Sequence, residues 1–202
     1  MKVCFLFESI LPSDFHSDTI SPGELRVIAA QKEVTKIIAI GREGESFYDA
    51  NTKVIRKSAF EKKISIENFS WTDTFFGYYF CWIGLLWYGI KICKREKIDI
   101  IHAESPHISG VAAIVLGKLF GIKVIVEYRV NYDELLMRRY GRYFGFLVKN
   151  IFWVVSGMTM RSADVVAANS LSYQNYLIKK LGIISVGFYN PGVRVPVSFP
   201  AR

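Results

Sequence analysis

A chain of 202 residues with 51% apolar side chains fits one large domain or two small ones and can bury a sizeable core, which excludes a disordered polymer. Its net charge of +8 points to an anionic partner: a nucleic acid, a phosphate-bearing ligand or an acidic membrane surface. Cys4, Cys81 and Cys93, odd in number and scattered among apolar neighbours, exclude a disulfide framework and a zinc site and fit a reducing compartment.

In chain order, Lys2 to Glu8 (KVCFLFE) predicts an opening strand with no secretory signal ahead of it. After a polar loop, Ser21-Pro22-Gly23-Glu24 is a capping box with proline at the first helical position, and it predicts a helix to about Glu33. Thr35 to Ile40 predicts a second strand ended by Gly41, and Lys53 to Arg56 a short third one. Thr74 to Ile90 holds no charge, yet is short of the roughly 20 residues a bilayer span needs. Its three glycines and three tyrosines favour a buried or monotopic helix.

Ile98 to Glu134 is the central unit, a strand, a helix and a strand. Ile98 to Ala103 is an apolar run suited to a strand buried on both faces. Ser105 and Pro106 are read as N-cap and first residue of a helix that stops at Gly121. Ile122 to Glu127 predicts the next strand, and Leu135 to Met160 a long helix. Ala163 to Ala168 predicts a strand, Asn169-Ser170 cap a helix ending at Gly182, and Val186 to Tyr189 predicts the last strand. This alternation predicts a doubly wound, Rossmann-like α/β domain over residues 1–192, with a mostly parallel sheet and helices on both faces. Residues 193–202 read as a tail or the start of a linker.

In such sheets ligands collect at the carboxyl ends of the strands. There the sequence places His102 and Glu104, then Glu127, Arg129, Asn131, Asp133 and Glu134. Each has two readings. His102 lines the crevice or is a hydrogen-bonded core residue. Glu127 orients Arg129, whose planar donor fork suits phosphate or sugar hydroxyls; otherwise the pair is purely structural. Asp133 and Glu134 act as bases toward a hydroxyl, or they form an acidic first turn that answers a helix dipole. Gly23 admits a diphosphate to free backbone N–H groups, or belongs to a plain capped helix. Arg138, Arg139, Arg142 and Lys149, beside Trp153 and other apolar residues, fit an anionic membrane interface. A nucleic-acid patch and a solvated helix face are the competing readings.

Three stretches in order, IDIIHAESPHISGVAAIVLGKLFGIKVIVEYR, ADVVAANS and YNPGVRVPVSFP, resemble the N-terminal half of GT-B glycosyltransferases of the retaining family four. The resemblance covers essentially the whole chain. It implies sugar transfer from a nucleotide-sugar to a lipid-linked or saccharide acceptor, with no metal or other cofactor and no nucleic acid. It also implies that the acceptor binds this domain and the donor a C-terminal domain with a Glu-x7-Glu motif, supplied in cis or in trans, since the 202 residues stop where the family's linker begins. On this reading Glu104, Arg129 and Asp133 carry the chemistry, and Gly23, His102, Glu127, Asn131 and Glu134 bind substrate. The setting expected is cytoplasmic, peripheral at the inner face of the membrane, in polysaccharide biosynthesis. The alternative is a non-catalytic module that binds a phosphorylated ligand or recruits a partner. The sequence departs from the family at Glu127-Tyr128-Arg129, where many members carry a histidine, and at Asn190-Pro191-Gly192 in place of Asn-Gly. Arg129 is expected to matter to activity more than to folding, because it lies at a strand end.

Overall fold

A computed structural model describes residues 1–10, 25, 27–43, 61–70, 75–129, 142–183 and 186–188. Seven strands form one sheet: β1 (Lys2–Ile10), β2 (Lys36–Glu43), β3 (Ile64–Phe69), β4 (Ile100–Ala103), β5 (Lys123–Tyr128), β6 (Val165–Ala168) and β7 (Val186–Phe188). Their order is β3-β2-β1-β4-β5-β6-β7, and every neighbouring pair is parallel. Four crossover helices with described bounds are α1 (Phe75–Arg95), α2 (Ser109–Phe120), α3 (Arg142–Ser162) and α4 (Leu171–Leu181), and residues 25 and 27–29, between β1 and β2, are helical as well.

The period of two along each strand sorts the core into two faces. Cys4, Leu6, Ile38, Ile40, Ile101, Ala103, Val124 and Val126 point to the face covered by all four helices. Val3, Phe5, Phe7, Ile37 and Ala39 point the other way, onto Leu25 and Ala29. The fold class therefore stands as read, a Rossmann-like α/β domain.

Several local readings change. The third strand is Ile64–Phe69, preceded by a 3-10 turn at Glu61–Lys63, whereas 53–56 and the capping box at 21–24 lie outside the described residues. β2 runs through Gly41 to Glu43 rather than stopping at the glycine. Helix α2 starts at Ser109, not at Pro106, and its N-cap Ile108 offers no side-chain bond. Ser105 is drawn instead into bonds with Ser109 and Glu8, which outcompete the cap. Ser170 does cap α4, accepting from the Tyr173 N–H at 3.1 Å. Gly121 and Gly182 end their helices at φ of 67° and 62°, a left-handed turn that favours glycine.

The amino edge of the sheet is pinned by one carboxylate. Glu96, just past α1, accepts from Lys2 at 2.7 Å and Lys36 at 2.6 Å, the first residues of β1 and β2. Those two hydrogen bonds hold its carboxyl down at about 2. Thr74 to Ile90 lies almost wholly in α1, whose Cys81, Leu85 and Ile92 are buried against the sheet. Among the described residues no helix is long and apolar enough to cross a membrane.

Gly117 sets the closest helix–strand approach in the central unit. A Cβ there would sit 2.3 Å from a methyl of Val124 and 2.9 Å from the Ile122 carbonyl oxygen. Helix propensity alone makes Gly→Ala stabilising by up to about 1 kcal/mol; the collision with backbone reverses the sign. Gly117→Ala should lower stability by about 1–3 kcal/mol in urea denaturation. A stabilised variant would show that α2 can lift off β5 at little cost.

Candidate functional site

The carboxyl ends of β1, β4 and β5 lie side by side in the middle of the sheet. β1 pairs with β4 in a register that sets Leu6 opposite Ala103. Two residues further along each strand, Glu8 and Ser105 meet, and the Ser105 hydroxyl donates to Glu8 Oε1. His107 Nε2 lies 3.3 Å from the same oxygen, and burial holds the His107 imidazole below its usual value against the attraction of Glu8.

β4 and β5 bring the second half together. Arg129 Nε donates to Glu127 Oε2, and Arg129 Nη1 donates to Glu104 Oε1 at 3.3 Å. Glu127 is fully buried, with Oε1 3.0 Å from His102 Nε2, in contact but out of line for a hydrogen bond. His102 is itself buried, its ring centroid 4.3 Å from that of Phe5. Asn169, just past β6, donates to the Arg129 carbonyl at 2.9 Å and ties the end of β5 to its neighbour. Glu104 Oε2 also accepts from the Glu8 backbone N–H at 3.4 Å, so one carboxylate joins the two halves.

Two carboxyl groups thus share one guanidinium, with the Glu8 carboxyl close enough to Glu104 to act on it. Burial pushes the Glu104 carboxyl up to about 7; Arg129 pulls it down, while Glu8 and Glu127 push it further up. Among the described residues the site is acid-rich, and the positive charge inside it is Arg129. An incoming hydroxyl finds a carboxyl that both accepts and donates near neutrality, whereas an incoming diphosphate finds like charge. Glu127 is the buried anchor of Arg129, and Glu104 is the partly exposed member at the rim.

Of the residues expected here, His102, Glu104, Glu127 and Arg129 come together. Gly23, Asn131, Asp133 and Glu134 lie outside the described residues, as do Arg138 and Arg139 of the proposed membrane cluster. Arg142 opens α3, and Lys149 follows two turns on with its ammonium 6.0 Å from the Phe146 ring centroid. Trp153 is partly buried, packed against Tyr128, Phe152 and Tyr176 at the margin of the core. The expectation that Arg129 is peripheral to folding is corrected. Its side chain is 13% exposed and faces a carboxylate with no solvent access. Removing one partner of such a pair costs about 3–5 kcal/mol, so Arg129→Ala should destabilise the protein as well as alter the site.

Glu8 and His107 were not singled out from sequence, and Ser105 was read only as a helix cap. The signal was present: Glu8 is the acid ending an otherwise apolar strand, and β1 and β4 are neighbours in doubly wound sheets.

The raised Glu104 carboxyl has a measurable consequence. A folded-state value of about 7 against an ordinary 4.5 gives a stabilising contribution that is complete below about pH 4.5 and lost as pH rises through 7. Relative to Glu104→Gln, the wild-type protein should lose about 2–3 kcal/mol between pH 4.5 and 8, read from urea midpoints. Parallel pH profiles for the two proteins would show that Glu104 ionises normally.

The comparisons with known proteins bear on the family and the fold. The model of Glycosyltransferase Family 4 matches residues 59–188, which include β3 to β7 and therefore Glu104, Glu127 and Arg129. Sucrose-phosphate synthase from Thermosynechococcus elongatus superposes with a TM-score of 0.60 at 10% identity, over 94% of this chain and 47% of that one. Arabidopsis thaliana UGT89C1, solved with UDP-L-rhamnose, gives 0.56 at 11% identity over 94% and 51%. The UDP-GlcNAc 2-epimerase of Methanocaldococcus jannaschii gives 0.54 at 14% identity over 93% and 45%. The chain spans about half the length of these solved structures, and at such identities they show the fold alone. No curated protein matches it in sequence. With the family model covering well over half of the chain, from the third strand to the last, the protein belongs to Glycosyltransferase Family 4.

Proposed function

We propose that this domain is the acceptor-binding half of an enzyme that transfers a hexosyl group from a nucleotide-sugar to a lipid-linked or saccharide acceptor. The observation that carries the reading is the acid-rich cluster at the carboxyl edge of the sheet. Two carboxyl groups on one guanidinium, with the Glu8 carboxyl beside them on Ser105, suit a neutral, hydroxyl-rich ligand and disfavour a diphosphate. Glu104 is the group that meets the acceptor hydroxyl, Arg129 fixes its position, and Glu127 with His102 fixes Arg129. The nucleotide-sugar is held mainly by a second domain, in cis or in trans, with Gly23 near its diphosphate. Support comes from the family match and from the nucleotide-sugar in the UGT89C1 structure, which is about twice as long. The acceptor belongs to polysaccharide biosynthesis, and the enzyme works at the cytoplasmic face of a membrane as a peripheral protein, without a metal. The alternative of a non-catalytic module built around a phosphorylated ligand sits poorly with the acidic edge.

The test pairs transfer with binding. In a transfer assay with the donor domain supplied, Glu104→Gln should lower turnover by about 100-fold, the usual worth of a positioned acid–base group. The 202 residues alone should bind nucleotide-sugars too weakly to saturate in calorimetric titration, because the opposite wall of the cleft positions the donor. Undiminished transfer by Glu104→Gln would remove Glu104 from the chemistry. Micromolar donor affinity with turnover in the chain alone would overturn the two-domain reading.

A further inference from the structure

The four crossover helices carry two unusual features on one side of the sheet. Together α1, α2, α3 and α4 contain nine lysines and arginines and no aspartate or glutamate. The excess matches the net charge of +8, so the rest of the chain is nearly balanced. Helix dipoles explain cations at the carboxyl ends of the helices, such as Lys94, Lys118 and Arg161. They do not explain why none of the four first turns holds an acid, since that is where the dipole favours one.

The second feature is what the layer turns outward. On α3, Leu147, Ile151, Val154 and Met158 recur at i, i+4, i+7 and i+11, each between 55% and 65% exposed. On α1, Phe80, Ile83 and Trp87 do the same at i, i+3 and i+7. Both helices also bury an apolar face on the sheet, Cys81, Leu85 and Ile92 on α1 and Phe152 and Met160 on α3. They are therefore apolar on two sides, and one side has no partner among the described residues. Beside Trp87 a cleft of about 330 Å³ opens between α1 and the end of β3, lined by Phe69, Ile83 and Tyr88.

Seven of the nine cations lie in the carboxyl halves of their helices, Arg142 and Lys149 of α3 being the exceptions. Crossover helices run antiparallel to the strands they join, so the amino ends of α1 and α3 lie at the carboxyl edge of the sheet. Cys81 confirms this, its Sγ being 3.9 Å from the Glu8 carbonyl oxygen beside the acid cluster. The apolar rows thus begin near the site. Lys91, Lys94 and Arg95 of α1, and Arg161 of α3, gather toward the amino edge. Lys91 has no carboxylate within ion-pair distance among the described residues; its ammonium lies 5.1 Å from the ring centroids of Trp87 and Tyr88.

We infer that the outer face of this helical layer is a docking surface for an anionic lipid bilayer. The apolar rows enter the interface, and the basic ends engage lipid headgroups. The acid-free composition is the charge complement of such a surface, and two rows of large exposed apolar side chains mark a contact rather than a solvated face. A nucleic acid would match the charge but leave Ile151, Val154 and Met158 unexplained. With the helical layer lying on the bilayer, the carboxyl edge sits alongside the headgroups, within reach of a lipid-linked acceptor. That orientation rests on the function proposed above, whereas the surface itself does not.

The test is cosedimentation of the purified protein with phosphatidylcholine vesicles containing about 30% phosphatidylglycerol, against pure phosphatidylcholine. Binding should require the anionic lipid and fall as salt rises. Ile151→Glu with Val154→Glu, and separately Lys91→Glu with Lys94→Glu, should each weaken it by about tenfold or more. Lys62→Glu, an exposed lysine outside the four helices, should leave it unchanged. All four altered helix positions are exposed, so far-UV circular dichroism should match the wild type. Trp87 emission should shift to the blue on vesicles, and Trp87→Phe should lose that shift. Equal binding to neutral vesicles, or none to either, overturns the inference. So does a dimer that Ile151→Glu abolishes, which makes the face an interface between copies. RNA binding that is lost in the lysine variants and kept in the Ile151 variant overturns it as well. Transfer to a water-soluble acceptor analogue is insensitive to the helix variants, so a failure here is distinct from a failure of the proposed reaction.

Discussion

Arg129 held between Glu127 and Glu104 is the interaction on which the site depends. A guanidinium offers donors in a fixed plane, and two carboxylates from adjacent strands are spaced to take them. Glu127 is buried at the end of β5 and is tolerable only because Arg129 neutralises it. Glu104, at the end of β4, is pushed up first by its own burial, drawn back by Arg129 and pressed further by Glu8 and Glu127, which leaves it with a proton affinity near neutrality. A parallel sheet makes this possible, because side chains leaving the ends of β1, β4 and β5 are brought within one hydrogen bond of each other.

The same topology divides the labour of the molecule. One face of the sheet is packed by four helices, and the acid cluster sits at the edge that their amino ends approach. The acids gather where a hydroxyl-bearing ligand would come, while the helices carry only positive charge. The two charge patterns lie on different surfaces, so the net charge of +8 is no guide to the polarity of the site.

Much of this was legible in the sequence. Alternating apolar strands and glycine-terminated helices gave the fold class, and Gly121, Ser170 and Gly182 mark helix ends where expected. The strand-end rule found Glu104, Glu127 and Arg129. What local patterns could not give was set by pairing across distance. Glu8 reads as the last residue of a strand until the register of β1 against β4 brings it to Ser105 and His107. Ser105 followed by proline has every mark of a helix cap, but a carboxylate 97 residues away takes its hydroxyl. Trp153 beside basic residues looks like an interfacial tryptophan, yet the helical period turns it into the aromatic cluster with Tyr128 and Tyr176. Ile64–Phe69 was passed over because Glu67 and Asn68 interrupt its apolar alternation, while pairing with β2 secures it at the sheet edge.

The central claim is that one carboxyl at the carboxyl edge is kept near neutrality by burial beside a guanidinium and two further carboxylates. Carbon-13 NMR of the glutamate side-chain carboxyls, titrated with pH, reads that property directly. The account predicts one glutamate resonance titrating at about 7, absent from the spectrum of Glu104→Gln. A titration in which Glu104 ionises with the ordinary glutamates, near 4.5, would contradict it.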